Sequence, residues 1–302
     1  MSATVLFDAP GPKARARHRI IAVVGGVVLL AMVVFALAKL GEKGNLAADK
    51  WTPFLTGSMW VDYLIPGLIN TLKAASISIV LAAAFGLVFG IGRMSPLAPI
   101  RWVCTVVVEF FRSVPVLVLM IGAFGFYSFN NVFQSEINPL AAVVTGLTLY
   151  NGSVVAELLR SGVGSLPKGQ SEAGLSIGLT PGQTLASIQL PQAITAMLPA
   201  LVGQLVVVLK DTALGQIITY DELLTNYQRI GSNWSNIVPA MIVIALIFIA
   251  INYTLSTLAG RVEGRLRSRG RATIKGGGGP AGELAAVPPA PPELEPATTR
   301  AL

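Results

Sequence analysis

The sequence predicts an all-α integral membrane protein with about six transmembrane helices, and three observations carry that prediction. Of 302 residues, 53% are hydrophobic and 12% charged, against roughly 25% charged in an average soluble chain, and mean hydropathy is +0.67. The apolar residues fall into six runs, near 20–40, 72–92, 103–129, 139–159, 197–219 and 237–259, each long enough for a span of about 20 residues. Lys13, Arg15, Arg17 and Arg19, Arg93 and Arg101, Arg160 and Lys168, and the arginines from Arg261 to Arg271 all fall on one side of a six-pass chain.

The elements follow in order. Residues 1–19 form a basic amino-terminus carrying Lys13, Arg15, Arg17 and Arg19. The run at 20–40 exceeds the apolar core of a signal peptide, about 7–15 residues. A retained first helix is therefore expected, although Ala36-Leu37-Ala38 fits a small-x-small cleavage pattern. The run at 72–92 leads to a short loop with Arg93 and Arg101. The run at 103–129 is too long for one straight crossing and contains Glu109, Arg112 and Pro115. Trp102 to Phe111 is expected to lie at the interface as a helix leading into a span that starts near Val114. After 139–159 comes the longest polar stretch, 160–196, with Arg160 and Lys168. The last two spans, 197–219 and 237–259, are followed by Arg261, Arg265, Arg267, Arg269 and Arg271.

The positive-inside rule makes the basic side cytoplasmic, so the chain is read as a multi-pass protein of the cell membrane with both termini inside. The opposite side holds Trp51, Trp60, Tyr63, Tyr220, Tyr227 and Trp234, which suits interfacial anchoring. From 272 to 302 the composition shifts to Gly276–Gly279 and a Pro/Ala/Glu-rich end, expected to be a disordered tail.

Several classes are disfavoured. The net charge of +7 resides at the ends and in short loops, where it orients the chain and does not mark a nucleic-acid surface. Cys104 and His18 are single, which excludes an intrachain disulfide and a Cys/His metal cluster within one chain. There is no Gly-x-x-x-x-Gly-Lys-[Ser/Thr] phosphate loop and no hydrolase signature. No catalytic residue, metal or cofactor is therefore assigned to this chain.

The loop at 160–196 is read as helix, turn at Leu179-Thr180-Pro181-Gly182, helix. Ala173 and Gly174, with Gly178 four residues on, give one helix face a low profile that a partner could approach closely. An amphipathic helix lying on the inner leaflet reads equally well from composition. The segment Glu172-Ala173-Gly174, three residues, Gly178, nine residues, Ile188-Gln189-Leu190-Pro191 resembles the EAA loop of ATP-binding-cassette (ABC) importer permeases, with glycine at the third position where the family usually has alanine. Phe111-Arg112-Ser113-Val114-Pro115, Ala156-Glu157-Leu158-Leu159-Arg160, Gly169-Gln170 and Lys210-Asp211-Thr212-Ala213-Leu214 are similar to further motifs of the polar amino-acid branch, typified by histidine, glutamine and glutamate permeases. The resemblance covers roughly 60–260. The first span and Ala3 to Pro12 look most like the second permease subunit of actinobacterial glutamate uptake systems.

This resemblance implies a type I ABC importer permease fold in which Glu172, Ala173, Gly174, Gly178, Ile188, Leu190 and Pro191 form the ATPase-coupling loop. It also implies two separate ATP-binding subunits that hold the ATP and Mg, a second permease subunit in a heterodimer, and an extracytoplasmic amino-acid-binding protein. The implied cargo is a polar amino acid, with glutamate preferred. An ion-coupled secondary amino-acid transporter is the alternative, since charges at membrane depth also suit ion coupling.

Lys210 lies ten residues before Tyr220, which at about 1.5 Å per residue places it near the bilayer midplane. It is a substrate-pathway candidate together with Asp211, Thr212 and Asn151; the alternative is that Lys210 and Asp211 hold the bundle together and that Asn151-Gly152 serves helix packing. Glu109 with Arg112, and Glu157 with Arg160, are spaced i, i+3 and can pair on one helix face as structural or gating charges. The topology is directly testable. With Cys104 replaced by serine, cysteine at Ser232 is expected to react with an impermeant thiol reagent added outside, and cysteine at Ser171 is not; the reverse pattern inverts the orientation.

Overall fold

In the computed structural model, residues 11–275 are described, and every regular element among them is helical. Helix α1 spans Pro12–Glu42. Two short 3-10 turns lead to a single α turn, α2 (Gly57–Met59), a π turn over Trp60–Leu64, and the long α3, Ile65–Arg93. Then follow α4 (Ala98–Ser113), α5 (Val116–Phe129), α6 (Asn138–Gly164), α7 (Lys168–Ser176), α8 (Pro181–Thr184), a second π turn (Leu185–Gln189), α9 (Leu190–Asp211), a 3-10 segment (Thr212–Ile218), α10 (Asn226–Trp234) and α11 (Ile237–Lys275). Proline stands in the first turn of α1, α3, α4, α6, α8 and α9. In α1, α4, α6 and α8 its missing N–H has no intrahelical partner to lose, whereas Pro66 of α3 and Pro191 of α9 stand just after the two π turns.

Among the described residues, five helical stretches are long and apolar enough to cross a membrane, and a sixth crossing exists if the bent pair α4–α5 counts as one. The expected break in the third run is present: α4 and α5 meet at 101°. Pro115 lacks a donor and disfavours helical backbone at the residue before it, and Val114 is extended at ψ 130°. The other boundaries shift. The second span begins well before 72, at Ile65, and α6 and α9 shorten the polar loop from 160–196 to 165–189. Helix α11 continues past 259 to Lys275 through Gly260, Gly264 and Gly270; no proline intervenes before Gly276–Gly279, and single glycines weaken a helix by only about 1 kcal/mol each. Residues 1–10 and 276–302, which include most of Ala3 to Pro12 and of the expected tail, lie outside the described residues.

Helix α6 is the centre of the bundle, packed by α3, α4, α5 and α9. A Cβ added at Gly86 of α3 would collide with Val155 of α6, and one at Gly152 would lie 2.7 Å from Phe85 Cδ1. Small residues thus let the two backbones approach closely, the usual source of helix association where lipid removes the hydrophobic drive. A buried cluster of Ala74, Met120, Val143, Leu147, Val208 and Tyr220 joins α3, α5, α6 and α9. A second cluster, including Phe54, Met59, Leu223, Ile230 and Ile244, closes the aromatic end. Helix α1 has no buried residue.

At the aromatic end the segment after the 3-10 turn is pinned to α3. Thr71 Oγ1 donates to Glu222 Oε2 at 3.2 Å and accepts from Leu223 N–H at 3.1 Å. Thr225 N–H donates to Glu222 Oε1 at 3.0 Å, and Tyr220 OH donates to Asn70 O at 2.7 Å. Glu222 is fully buried. Burial pushes its carboxyl above the ordinary 4.5, opposed by hydrogen bonds from Leu224, Thr225 and Thr71. The Tyr220 phenol is pushed up to about 12 by burial and then by the charges of Glu222 and Asp221, so it remains a donor.

The folded chain therefore holds the Glu222 proton more tightly than the unfolded chain. Its stabilising effect is fully present below the unfolded value and is lost as pH rises through the raised folded value. Glu222→Gln is expected to flatten the decline in detergent melting temperature as pH rises above 4.5. An unchanged slope in a pH series of thermal melts would assign that decline to another group.

Candidate functional site

The polar loop is built as a self-supporting hairpin of two short helices. Helix α7 ends in a pair of reversed hydrogen bonds, Gly178 N–H to Leu175 O at 3.0 Å and Leu179 N–H to Gly174 O at 3.2 Å, with Gly178 at φ +84°. This is the Schellman termination, in which glycine occupies the left-handed position without a Cβ penalty. Helix α8 begins with a capping box: Thr180 Oγ1 accepts from Gln183 N–H, and Thr180 N–H donates to Gln183 Oε1 at 2.9 Å. Gln192 Nε2 donates to Gln170 Oε1 at 2.9 Å, tying the start of α7 to α9. The π turn, closed by Leu190 N–H on Leu185 O, precedes Pro191.

Two expectations about this loop are corrected. Gly178 does not share a helix face with Ala173 and Gly174; it lies beyond the helix and ends it. Nor is Gly174 offered to a partner: it is buried against the second half of the hairpin, where an added Cβ would lie 2.7 Å from Thr184 Cγ2 and 3.0 Å from Ile188 Cδ1. Ile188 and Leu190 are half-buried, while Glu172, Ala173 and Pro191 are exposed. The outward surface also presents two large apolar side chains, Ile177 at 75% and Leu175 at 47% exposure.

Near this loop the predicted pairs form, Arg112 Nη2 to Glu109 Oε2 at 2.8 Å and Arg160 Nη2 to Glu157 Oε1 at 2.6 Å. They belong to a larger cluster. Arg93, expected only as a loop charge, turns its side chain inward, 5% exposed, with Nη1 2.8 Å from Glu157 Oε2 and Nη2 2.8 Å from Glu109 Oε1. The sequence carried a signal for this. Gly67, Thr71, Ala75, Ser78, Ala82, Gly86 and Gly90 recur at three- or four-residue steps along the buried face of α3, and Arg93 is the next step.

The pathway candidates separate onto two sides of α9. Asn151 is fully buried; its Nδ2 donates to Leu147 O and its Oδ1 accepts from Gln204 Nε2. This amide pair lines an otherwise apolar cavity of about 280 Å³ among α3, α6 and α9, with Ala82, Val155, Leu201 and Val208. Lys210 is exposed and lines a groove of about 460 Å³ with Val206, Leu224, Phe248 and Asn252. Asp211 is half-buried beside it in sequence, and Thr212 is buried with its hydroxyl donating to Leu209 O at 2.7 Å.

Residues 78–268 match the family described as "Binding-protein-dependent transport system inner membrane component". The chain belongs to this family. As a permease component it is 48% identical over 233 residues to the "Glutamate transport system permease protein GluD" of Corynebacterium glutamicum, covering 77% of this chain and 85% of that one. It is 37% identical over 206 residues to the "Probable glutamine ABC transporter permease protein GlnP" of Bacillus subtilis, covering 67% and 93%. Among solved structures, "an amino acid ABC transporter with histidines" superposes with a TM-score of 0.63 at 29% identity, covering 70% of this chain and 98% of that one. The architecture is that of ABC importer permeases.

In this permease Gly178 has open space around it, so substitution there acts through the backbone alone. Gly178→Ala is expected to cost roughly 1–2 kcal/mol of local stability, read as faster hydrogen exchange at the Gly178 and Leu179 amides. Gly178→Asn, which tolerates the left-handed region, is expected to retain most of the protection.

Proposed function

We propose that this permease is the membrane-spanning subunit of an ATP-driven amino-acid importer with glutamate as its substrate. The observation that carries the coupling role is the hairpin at 168–189: it is rigidified from within and still exposes Leu175 and Ile177 on its outer surface. A partner of matching shape can bury that patch. The partner is one of two cytoplasmic ATP-binding subunits, which hold ATP and Mg and whose closure moves the hairpin as a rigid body. The basic end of the bundle, with both termini, then faces the cytoplasm, and an extracytoplasmic binding protein delivers the amino acid to the aromatic end.

Lys210 supports a second permease chain in the assembly. A cation exposed within an apolar span costs several kcal/mol toward lipid, so its face of α9 is turned to the other permease subunit across the passage. There it can meet a substrate carboxylate. The preference for glutamate follows the named substrate of the C. glutamicum relative.

The test is co-purification in mild detergent followed by ATP-driven uptake of labelled glutamate in proteoliposomes, with glutamine and histidine as competitors. Ile177→Asp is expected to release the ATPase while the permease stays inserted. Lys210→Met removes a charge-assisted hydrogen bond of about 1.5–3 kcal/mol, so uptake per folded complex is expected to fall by roughly a decade or more with unchanged melting temperature. Retained ATPase in the first variant would overturn the docking role, and normal uptake per complex in the second would overturn the Lys210 role.

A further inference from the structure

We infer that Arg93 is a positioning residue that links the coupling hairpin to the bent α4–α5 pair, so that displacement of one is carried to the other. The inference rests on the importer reading above. The ion pairs form an alternating chain, Arg112–Glu109–Arg93–Glu157–Arg160. One end, Arg112, stands one residue before the last residue of α4, where the 101° bend begins. The other end, Arg160, stands in the last turns of α6, whose end leads directly into α7 and the hairpin. Arg93 bridges the two halves with one guanidinium, reaching carboxylates on two helices at 2.8 Å each. The direct contact between those halves, Arg112 Nη1 to Glu157 Oε2, is long at 3.8 Å.

The stoichiometry of the cluster separates linkage from folding. Without Arg93, Glu109 keeps Arg112 and Glu157 keeps Arg160 as i, i+3 pairs, so no carboxylate is stranded without a cation and the connection between helices is left to the 3.8 Å contact of Arg112 with Glu157. The glycine contacts remain as well: a Cβ at Gly92 would collide with Cys104 of α4, and one at Gly90 would lie 3.3 Å from Ala156 Cα of α6. Lysine keeps the charge but is a point donor without the fork that spans two carboxylates. The movement carried through this chain is a rigid-body one, since both ends are anchored in helices.

The experiment uses the full permease complex, purified with its ATPase and reconstituted. Arg93→Gln and Arg93→Lys are expected to leave complex recovery and ATP hydrolysis near the parental values while glutamate taken up per ATP hydrolysed falls about tenfold. Glu109→Gln weakens the same link from the α4 side and is expected to lower the same ratio, which keeps the test open should Arg93→Gln fail to accumulate. An unchanged ratio in these variants, or hydrolysis and uptake that fall together with recovered complex, overturns the inference. A parental complex that recovers no ATPase and shows no ATP-driven uptake defeats the importer reading itself.

Discussion

Close approach of α3 and α6 is the constraint from which the rest of the bundle follows. Glycines at 86, 90 and 152 remove the side chains that would hold the backbones apart. In lipid, contact of this kind supplies the association energy that apolar burial supplies in water. Once the two helices are fixed in register, the last residue of α3 faces Glu157, and the Arg93 guanidinium has one carboxylate within reach. Its second bond reaches Glu109 and ties α4 to the same pair of helices. A larger residue at 86 or 152 would therefore displace an ion-pair chain that no glycine touches.

The two ends of the molecule solve opposite problems. The aromatic end buries a carboxylate among neutral donors, holding the chain between the fifth and sixth crossings against α3 through Thr71, Thr225 and Glu222. The basic end leaves its hairpin outside the bundle and stabilises it by short-range devices: a left-handed glycine, a capping box and the Gln170–Gln192 bond. A loop held this way keeps its shape without being anchored deeply in the core. Such an element can be pushed as a unit.

Much of this was legible in the sequence, for identifiable reasons. Hydropathy located the spans because a bilayer sets their length, and Pro115 among charges revealed the bend at 114–115. The i, i+3 pairs at 109/112 and 157/160 were visible because helix geometry alone brings them together. Arg93 was missed because its partners lie 16 and 64 residues away, and the positive-inside rule already supplied a sufficient reason for an arginine there. The roles of Gly174 and Gly178 were misjudged for a related reason. A four-residue spacing puts two positions on one face only while the helix continues; this one stops at Ser176, and backbone conformation, not surface shape, requires glycine at 178. Nor could periodicity show that Asn151 and Lys210 line different spaces, since that depends on which side of α9 each neighbouring helix occupies.

Helix α1 stands apart from all of this. None of its 31 residues is buried, and large apolar side chains such as Ile20, Leu30 and Phe35 remain about two-thirds exposed. Every other span has at least one residue whose neighbour dictates its size. For α1 the only requirement visible in the structure is total apolarity over a sufficient length, because lipid tails accept Leu, Val or Ile in any arrangement. Within this chain no packed neighbour dictates the order of the residues at 20–38, so the segment meets the described bundle's demands through composition and length and not through register.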